Sequence, residues 1–271
     1  MIFAFPQMLG RQISEAVDGF GRFTLFSLNA FRWVFFGKAQ WARPSLLFPQ
    51  LYSIGTKSMA VVMMVGAFVG MVLAVEAYDQ FAQLGMAERL GGMISISVVK
   101  QIGPVLAAVM LAGRIGGSVS AELGTMKVTE QLDALRAMGS DPVSYLVVPR
   151  VIACLLMIPA LTIFSDLLGI YGGYFITVGG FGVNADKYWQ YSAQYVTGYD
   201  VSIGLIKAVV FGLMIGLISC YKGFHCRSGA AGVGRAATDA FVTSFIAIIV
   251  ANFFLAKFLK DLRPLILGYG V

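Results

Sequence analysis

Charged residues are scarce in this chain of 271 residues: Asp, Glu, Lys and Arg make up 13%, against 58% hydrophobic residues. The mean hydropathy is +0.79. A soluble domain of this length could not bury so much apolar surface, and several uncharged runs approach the roughly 20 residues that cross a bilayer. The composition therefore excludes an ordinary soluble protein and predicts an all-α polytopic membrane protein.

Histidine and cysteine are also rare. His225 is the only histidine, so we expect no histidine-based metal site or catalytic triad within one chain. Cys154, Cys220 and Cys226 show no paired spacing, which favours packing roles over disulfides or metal ligands. The apolar start from Ile2 to Pro6 is too short to predict a cleavable signal. We expect neither a metal nor a cofactor on this chain.

The chain lacks the G-x-x-x-x-G-K-[ST] sequence whose backbone cradles nucleotide phosphates. The stretch from Gly55 to Ser58 breaks the required Gly-Lys pair and opens a hydrophobic run instead. ATP and Mg²⁺ would therefore have to be bound by another polypeptide. No clustered nucleophile, acid and base is visible either, so we predict that the chain is not an enzyme.

The net charge of +6 comes from basic residues at the ends of apolar runs. Such residues set membrane orientation and meet anionic headgroups, so we predict no nucleic-acid binding. Residues before the first span, around 129–139, and between spans four and five are basic, whereas 76–92 and 179–200 carry few cations. The positive-inside rule places the first group, with the amino terminus, in the cytoplasm.

We predict a single transmembrane domain over residues 1–271, with a five-span bundle within 58–260. The predicted spans are Ser58–Val75, Met93–Val119, Tyr145–Val178 (with a bend near Pro159), Val201–Tyr221 and Ala237–Leu259. Glycine pairs at four-residue spacing predict close helix packing: Gly66/Gly70, Gly113/Gly117, Gly169/Gly173 and Gly212/Gly216. Residues 7–50 alternate aromatic with basic side chains, which predicts an amphipathic helix lying in the interface. A short tilted span from Phe23 to Phe36 is the alternative.

A short charged helix is predicted at residues 129–139, between spans two and three. Thr129 is the expected N-cap, Glu130 and Asp133 lie in the first turn, and Gly139 is the expected C′ residue. Only short connecting segments separate this charged helix from the two spans. The helix is therefore suited to transmit force from a soluble partner to the spans. The alternative is an ordinary solvated loop helix.

Charge inside a span is costly and usually functional, and three of the cations in the predicted spans are candidates for a function: Lys100, Arg114 and Lys207. Lys100 lies roughly 10 Å from the outer end of span two, just before Gly103 and Pro104. Its ammonium could meet a lipid phosphate or extend to the surface. Arg114 is expected to extend to the cytoplasmic surface or to pair with Glu122.

Several of these segments resemble one family. The segments AGRIGGSVSAELGTM (112–126), EQLDAL (130–135), MGSDP (138–142) and YLVVPR (145–150) resemble the signature region of the MlaE/YrbE permeases, the membrane subunits of MCE-associated ABC transporters. The segment CYKGFHCRSGAAGVGRAAT (220–238) resembles their second cytoplasmic segment, and the resemblance covers roughly residues 45–260.

The resemblance implies a homodimeric permease that moves phospholipid between a bacterial, Gram-negative inner membrane and a periplasmic MCE-domain carrier. It also implies a cytoplasmic ATPase that docks on the helix containing Glu130, Gln131, Asp133 and Leu135. The implied lipid path joins the outer end of span one to the start of span two, through Leu73, Tyr78, Phe81, Leu84, Lys100, Gln101 and Ile102.

The chain departs from the family at two positions. Related permeases commonly carry Glu at the position of Gln101 and Asp at that of Asn252, and both are amides here. Lys207 then lacks an obvious carboxylate partner. Asp166 or Glu76 could supply one, or a buried Lys207 could be neutral.

An alternative function is a secondary transporter of an apolar or lipid substrate, driven by an ion gradient through titration of Lys207 or Lys100. That class predicts inverted repeats, but five spans do not divide evenly and no repeat is visible. A membrane-embedded enzyme or scaffold is a third possibility.

Overall fold

The computed structural model describes residues 4–36 and 44–267, and every regular element in these ranges is a helix. In chain order they are α1 (Ala4–Phe36), α2 (Pro44–Gln83), α3 (Ala87–Val128), α4 (Gln131–Ala137), α5 (Val143–Gly179), α6 (Ala185–Tyr195), α7 (Gly198–Phe224) and α8 (Ala230–Leu267). Five of them, α2, α3, α5, α7 and α8, are long and apolar enough to cross a membrane. The predicted all-α polytopic fold with five spans is confirmed.

The amino-terminal prediction needs one correction. Residues 44–50, predicted as part of the interfacial helix, open the first spanning helix α2, because proline is well tolerated in the first turn and Pro44 begins the helix. Residues 37–43, which include Lys38, Trp41 and Arg43, lie outside the described residues. Helix α1 is not among the helices apolar enough to span, which disfavours the alternative of a tilted span there.

Helices α2 and α5 pack with their backbones in contact. A Cβ atom at Gly70 would overlap the carbonyl group of Gly169, and one at Gly66 would meet the backbone of Ser165. The predicted close packing is confirmed at these glycines and at Gly212, where a Cβ would lie 2.8 Å from the carbonyl oxygen of Cys154. It is wrong at Gly117, where a Cβ would meet no atom of the described residues within 4 Å.

Helix α3 contains two π-helical segments, Val98–Ile102 and Ala112–Gly116. Pro104 follows the first segment and has no N–H group, so an α-helical hydrogen bond to the carbonyl of Lys100 cannot form. Inserted π segments are frequent at functional sites. The two cations predicted inside this span, Lys100 and Arg114, both lie in these segments.

Helix α6 was not predicted. Asn184 caps it, because its side-chain oxygen accepts from the backbone N–H of Asp186 (2.8 Å) and of Lys187 (3.3 Å). Tyr188 is fully buried against the first turns of α3 and donates its hydroxyl to the carbonyl of Ile170 (2.9 Å). The polar stretch therefore folds back onto the bundle as a short packed helix.

Candidate functional site

The short charged helix α4 exists between the second and third spans, with a different start from the predicted one. Thr129 is not its N-cap, because its hydroxyl donates to the carbonyl of Thr125 (2.9 Å) and closes the end of α3. Glu130 has a left-handed backbone (φ 59°) and turns the chain, so α4 begins at Gln131 and has seven residues.

The predicted end of α4 is confirmed. Gly139 has φ 74°, which glycine adopts without strain. Its N–H donates to the carbonyl of Arg136 (2.9 Å), and the N–H of Ser140 donates to that of Leu135 (3.1 Å). These two bonds form a Schellman motif, which ends the helix one turn before the next span.

One face of α4 is fixed to the bundle and the other is free. Leu132 is 3% exposed, and Leu135 packs against the same hydrophobic core. Glu130, Gln131 and Asp133 are exposed. Of the four residues implied to contact an ATPase, three therefore lie on the free polar face, whereas Leu135 faces the bundle.

Hydrogen bonds tie the surroundings of α4 together. Asp141 accepts from the indole N–H of Trp33 (3.0 Å) and from the backbone N–H of Val143 (2.8 Å), which joins α1 to the start of α5. Lys127 donates to the carbonyl of Cys226 (2.9 Å) and joins α3 to the segment between α7 and α8. The three basic regions predicted to share one side of the membrane thus meet at one end of the molecule.

A polar cluster lies inside the spanning region, near the start of α7. Lys100 donates to Asp200 (Nζ–Oδ1 3.0 Å), whose side chain is 2% exposed. The other oxygen of Asp200 accepts from the hydroxyl of Thr197 (2.6 Å), within a capping box that begins α7. Asp200 was not predicted as a site residue, although Thr-x-x-Asp before an apolar run is a signal for a helix start.

Lys207 is 1% exposed and shares this cluster. Its ammonium donates to Gln101 Oε1 and to the carbonyl of Lys100 (3.2 Å), the carbonyl that Pro104 leaves without its usual donor. An amide and a backbone carbonyl thus replace the carboxylate that Lys207 was expected to need.

The two acids suggested as partners of Lys207 lie elsewhere. In the described ranges, Glu76 is exposed, and Asp166 has a buried Oδ1 atom that lies beside Gly103 and has no hydrogen-bond partner. The expectation that either one replaces the missing carboxylate is wrong. Asn252, the second amide at a family acid position, also has a buried oxygen without a partner.

A cavity of about 340 Å³ opens beside this cluster. It is lined by Lys100, Gln101, Tyr199, Ile203, Lys207, Ala256, Leu259 and Lys260. The hydroxyl of Tyr199 donates to the carbonyl of Leu259 (2.8 Å), which joins α7 to α8 at the edge of the cavity. Beside apolar side chains, the partly exposed Lys100 and the exposed Lys260 offer charge-assisted hydrogen bonds to an anionic, partly apolar molecule.

The remaining residues of the implied lipid path lie apart from this cavity. Leu73, Tyr78 and Phe81 pack in a second hydrophobic cluster with α5 and α6, where the ring of Tyr78 stacks on Phe181 (centroids 3.8 Å apart). Leu84 is 68% exposed. Ile102 is half-buried beside Gln101. The structure therefore joins Lys100 with Gln101 but does not bring the α2 residues into the same cavity.

Arg114 lies in a different place. It is exposed and lines a cavity of about 170 Å³ with Lys57 and Glu122. The acid expected to pair with Arg114 is instead bonded to the buried Arg150 (Glu122 Oε2–Nη2 3.2 Å).

Five spanning helices, a short helix held between two of them and a buried polar cluster define a polytopic membrane protein with the architecture of a transport subunit. The sequence profile of the family described as Permease MlaE matches residues 47–258. The chain therefore belongs to the MlaE permease family, and the predicted resemblance is confirmed. It is an ABC transporter permease and not itself an enzyme, which disfavours an ion-driven secondary transporter.

Individual relatives agree with this assignment. A probable ABC transporter permease protein of Rickettsia bellii is 38% identical over 261 residues, 95% of this chain and 98% of the relative. The intermembrane phospholipid transport system permease protein MlaE of Haemophilus influenzae is 32% identical over 259 residues, 94% and 97% of the two chains. The chloroplastic protein TRIGALACTOSYLDIACYLGLYCEROL 1 of Arabidopsis thaliana is 36% identical over 222 residues, which cover 82% of this chain and 63% of the relative.

Proposed function

We propose that this chain moves phospholipid between a bacterial inner membrane and a periplasmic MCE-domain carrier, as one of two identical permease subunits. A separate cytoplasmic ATPase binds ATP and Mg²⁺, and this chain binds no cofactor. The amino terminus and α4 lie on the cytoplasmic side. The phospholipid transport named for the Haemophilus influenzae relative, which aligns over nearly its whole length, supports the lipid substrate.

The observation that carries the proposal is the cavity beside Lys100, Lys207 and Lys260. A phospholipid combines an anionic phosphate with acyl chains. A cavity whose lining combines lysine side chains with Ile203, Ala256 and Leu259 matches both parts. The ammonium groups would bind the phosphate through charge-assisted hydrogen bonds in surroundings of low dielectric constant.

The test of this function is reconstitution with partners. The tagged chain is expected to copurify with an ATPase and an MCE-domain protein, and the complex in proteoliposomes should transfer phospholipid in an ATP-dependent manner. Copurification without either partner, or transfer that is insensitive to ATP, would contradict the proposal. Phosphorus per mole of purified complex reports the bound lipid.

The ATPase is proposed to dock on the free face of α4. We expect the double charge reversal Glu130→Lys with Asp133→Lys to abolish copurification of the ATPase, because complementary charge fixes partner and register at a polar interface. Glu130 and Asp133 are both exposed, so the chain itself should remain folded. The measurement is the ratio of ATPase to permease after affinity purification.

A matched control reverses two exposed acids at the other end of the molecule, Glu88→Lys with Asp186→Lys. This control should keep the full complement of ATPase. Equal ATPase recovery from both double variants would rule out α4 as the docking helix.

Two copies are expected to enclose the lipid, since one five-span subunit has little room for a molecule with two acyl chains. Val72 is 57% exposed on α2, next to Leu73 of the implied lipid path, which is half-buried. A single cysteine at Val72 should therefore cross-link two copies in membranes. Phe175→Cys, on the exposed face of α5 (69%), is the control expected to stay monomeric. Monomers from both variants would argue against the dimer.

A further inference from the structure

A second amphipathic site lies between α1, α7 and α8. Its apolar part is a groove of about 640 Å³, within the roughly 300–1,000 Å³ typical of small-molecule sites. Most of its walls are apolar, and they include Phe20, Phe23, Phe31, Leu213, Met214 and Leu217. The groove therefore offers aromatic and aliphatic surface from three separate helices.

A basic pocket of about 330 Å³ adjoins this groove where α7 ends and α8 begins. Its charged lining consists of Lys222, Arg227 and Arg235, with His225 beside them and Asp239 as the one carboxylate. Tyr221 and Lys222 line both the groove and the pocket. The two spaces therefore form one site with an apolar part and a cationic part.

The cations of the pocket are available to a ligand. In the described part of the chain, none of Lys222, Arg227 and Arg235 takes part in an ion pair. Tyr221, at the junction, is held by edge-on contacts with Phe23 (5.3 Å between ring centroids) and Phe26 (5.6 Å). The walls are thus fixed by packing, while the three cations form no ion pair with a described residue, although Asp239 lines the same pocket.

We propose that this site binds one anionic phospholipid, with its phosphate in the basic pocket and acyl chain in the groove. Arginine presents a planar donor fork that matches phosphate oxygens, and basic pockets between spanning helices suit anionic headgroups. Such a lipid would fill the space between α1 and the α7–α8 pair and attach α1 to the bundle.

This site is distinct from the cavity beside Lys100. That cavity is lined by the start of α7, near Ile203, whereas Lys222 lies near the end of the same helix. At 1.5 Å per residue the two are roughly 30 Å apart, about the thickness of the hydrocarbon core of a bilayer. The proposed lipid is therefore a resident molecule, separate from the cargo of the proposed transport.

Other occupants match only half of the site. An acidic soluble protein would supply charge to the pocket but would leave the groove uncovered. A second copy of this chain would cover the groove but would bring no excess of negative charge to three cations. An anionic phospholipid satisfies both parts with one molecule.

The test is native mass spectrometry of the purified chain with equal amounts of phosphatidylglycerol and phosphatidylcholine added. The wild-type chain should retain phosphatidylglycerol preferentially. Lys222→Gln with Arg235→Gln should weaken phosphatidylglycerol binding roughly 10- to 30-fold, to the level of phosphatidylcholine, because two cations near the headgroup are lost. Lys222→Arg with Arg235→Lys keeps both charges and should retain the preference.

Two further variants complete the design. Arg89→Gln with Lys187→Gln removes two cations at the other end of the molecule, the exposed Arg89 and the partly exposed Lys187, and should leave the preference unchanged. Ala247→Phe fills the groove and should reduce binding of both lipids. The proposal is overturned if the wild-type chain shows no preference, or if the glutamine pair at Lys222 and Arg235 binds as the wild-type chain does. It is also overturned if Ala247→Phe changes the oligomeric state while lipid binding persists.

Discussion

Replacing Gly70 with alanine is expected to lower the free energy of unfolding by about 3 kcal/mol, a large effect for a single methyl group. The added Cβ would overlap the carbonyl of Gly169 in backbone atoms that cannot rotate away. Helices α2 and α5 would have to separate and lose contacts along their shared face, and in lipid those contacts are the main source of helix association. Unfolding in mixed SDS micelles measures the change.

Gly117→Ala is the matched control, since a Cβ there meets no atom of the described ranges within 4 Å. Gly117 lies inside α3, so alanine should leave stability unchanged or raise it by up to about 1 kcal/mol through helix propensity. If the Gly70 variant proved as stable as this control, close backbone packing of α2 and α5 would be refuted.

The second large effect concerns lipid binding by Lys100. Lys100→Ala is expected to reduce both the bound phospholipid and the rate of lipid transfer by roughly 10- to 100-fold. This range corresponds to the free energy that a hydrogen bond to a charged group contributes. Lys100→Arg should keep part of both. If the side chain merely reached the outer surface, both variants would be nearly silent, because water and headgroups would already satisfy the charge.

The contact with Asp200 requires a further arm in this experiment. Alanine at Lys100 also leaves a buried carboxylate without its cation, which is itself destabilising. The double variant Lys100→Ala with Asp200→Asn removes that charge and should recover stability without recovering lipid.

Lys187, whose side chain is 43% exposed and bonded to Glu88, is the control for loss of a surface cation, and Lys187→Ala should be silent in both assays. Full lipid content in the Lys100/Asp200 double variant would show that Lys100 neutralises Asp200 and does not bind a phosphate.

Local signals predicted α4 only in part. Gly139 was predicted correctly because a left-handed C′ residue is a local preference of glycine. The start at Thr129 was wrong because a threonine hydroxyl can bond to a preceding carbonyl as well as cap a following helix, and here it closes α3. Sequence alone does not decide between these two partners.

Contacts between distant residues could not be predicted in this way. Trp33 and Asp141 are 108 residues apart, and Lys207 and Gln101 are 106 apart. The sequence marked Lys207 and Gln101 as unusual inside a membrane but pointed to Asp166 or Glu76 as the counter-ion. The break at Pro104 instead presents a backbone carbonyl to the ammonium, which becomes visible only once α3 and α7 pack together.

The sequence by itself determined the five spanning helices, the place of the short helix between two of them and the family, because apolar length and local motifs are properties of contiguous residues. Tertiary structure alone decided which charges meet, that the implied lipid residues of α2 lie apart from Lys100, and that an apolar groove adjoins a basic pocket. These features depend on the relative rotation of packed helices. Small residues such as Gly70 and Gly169 fix that rotation by allowing backbone contact at particular points.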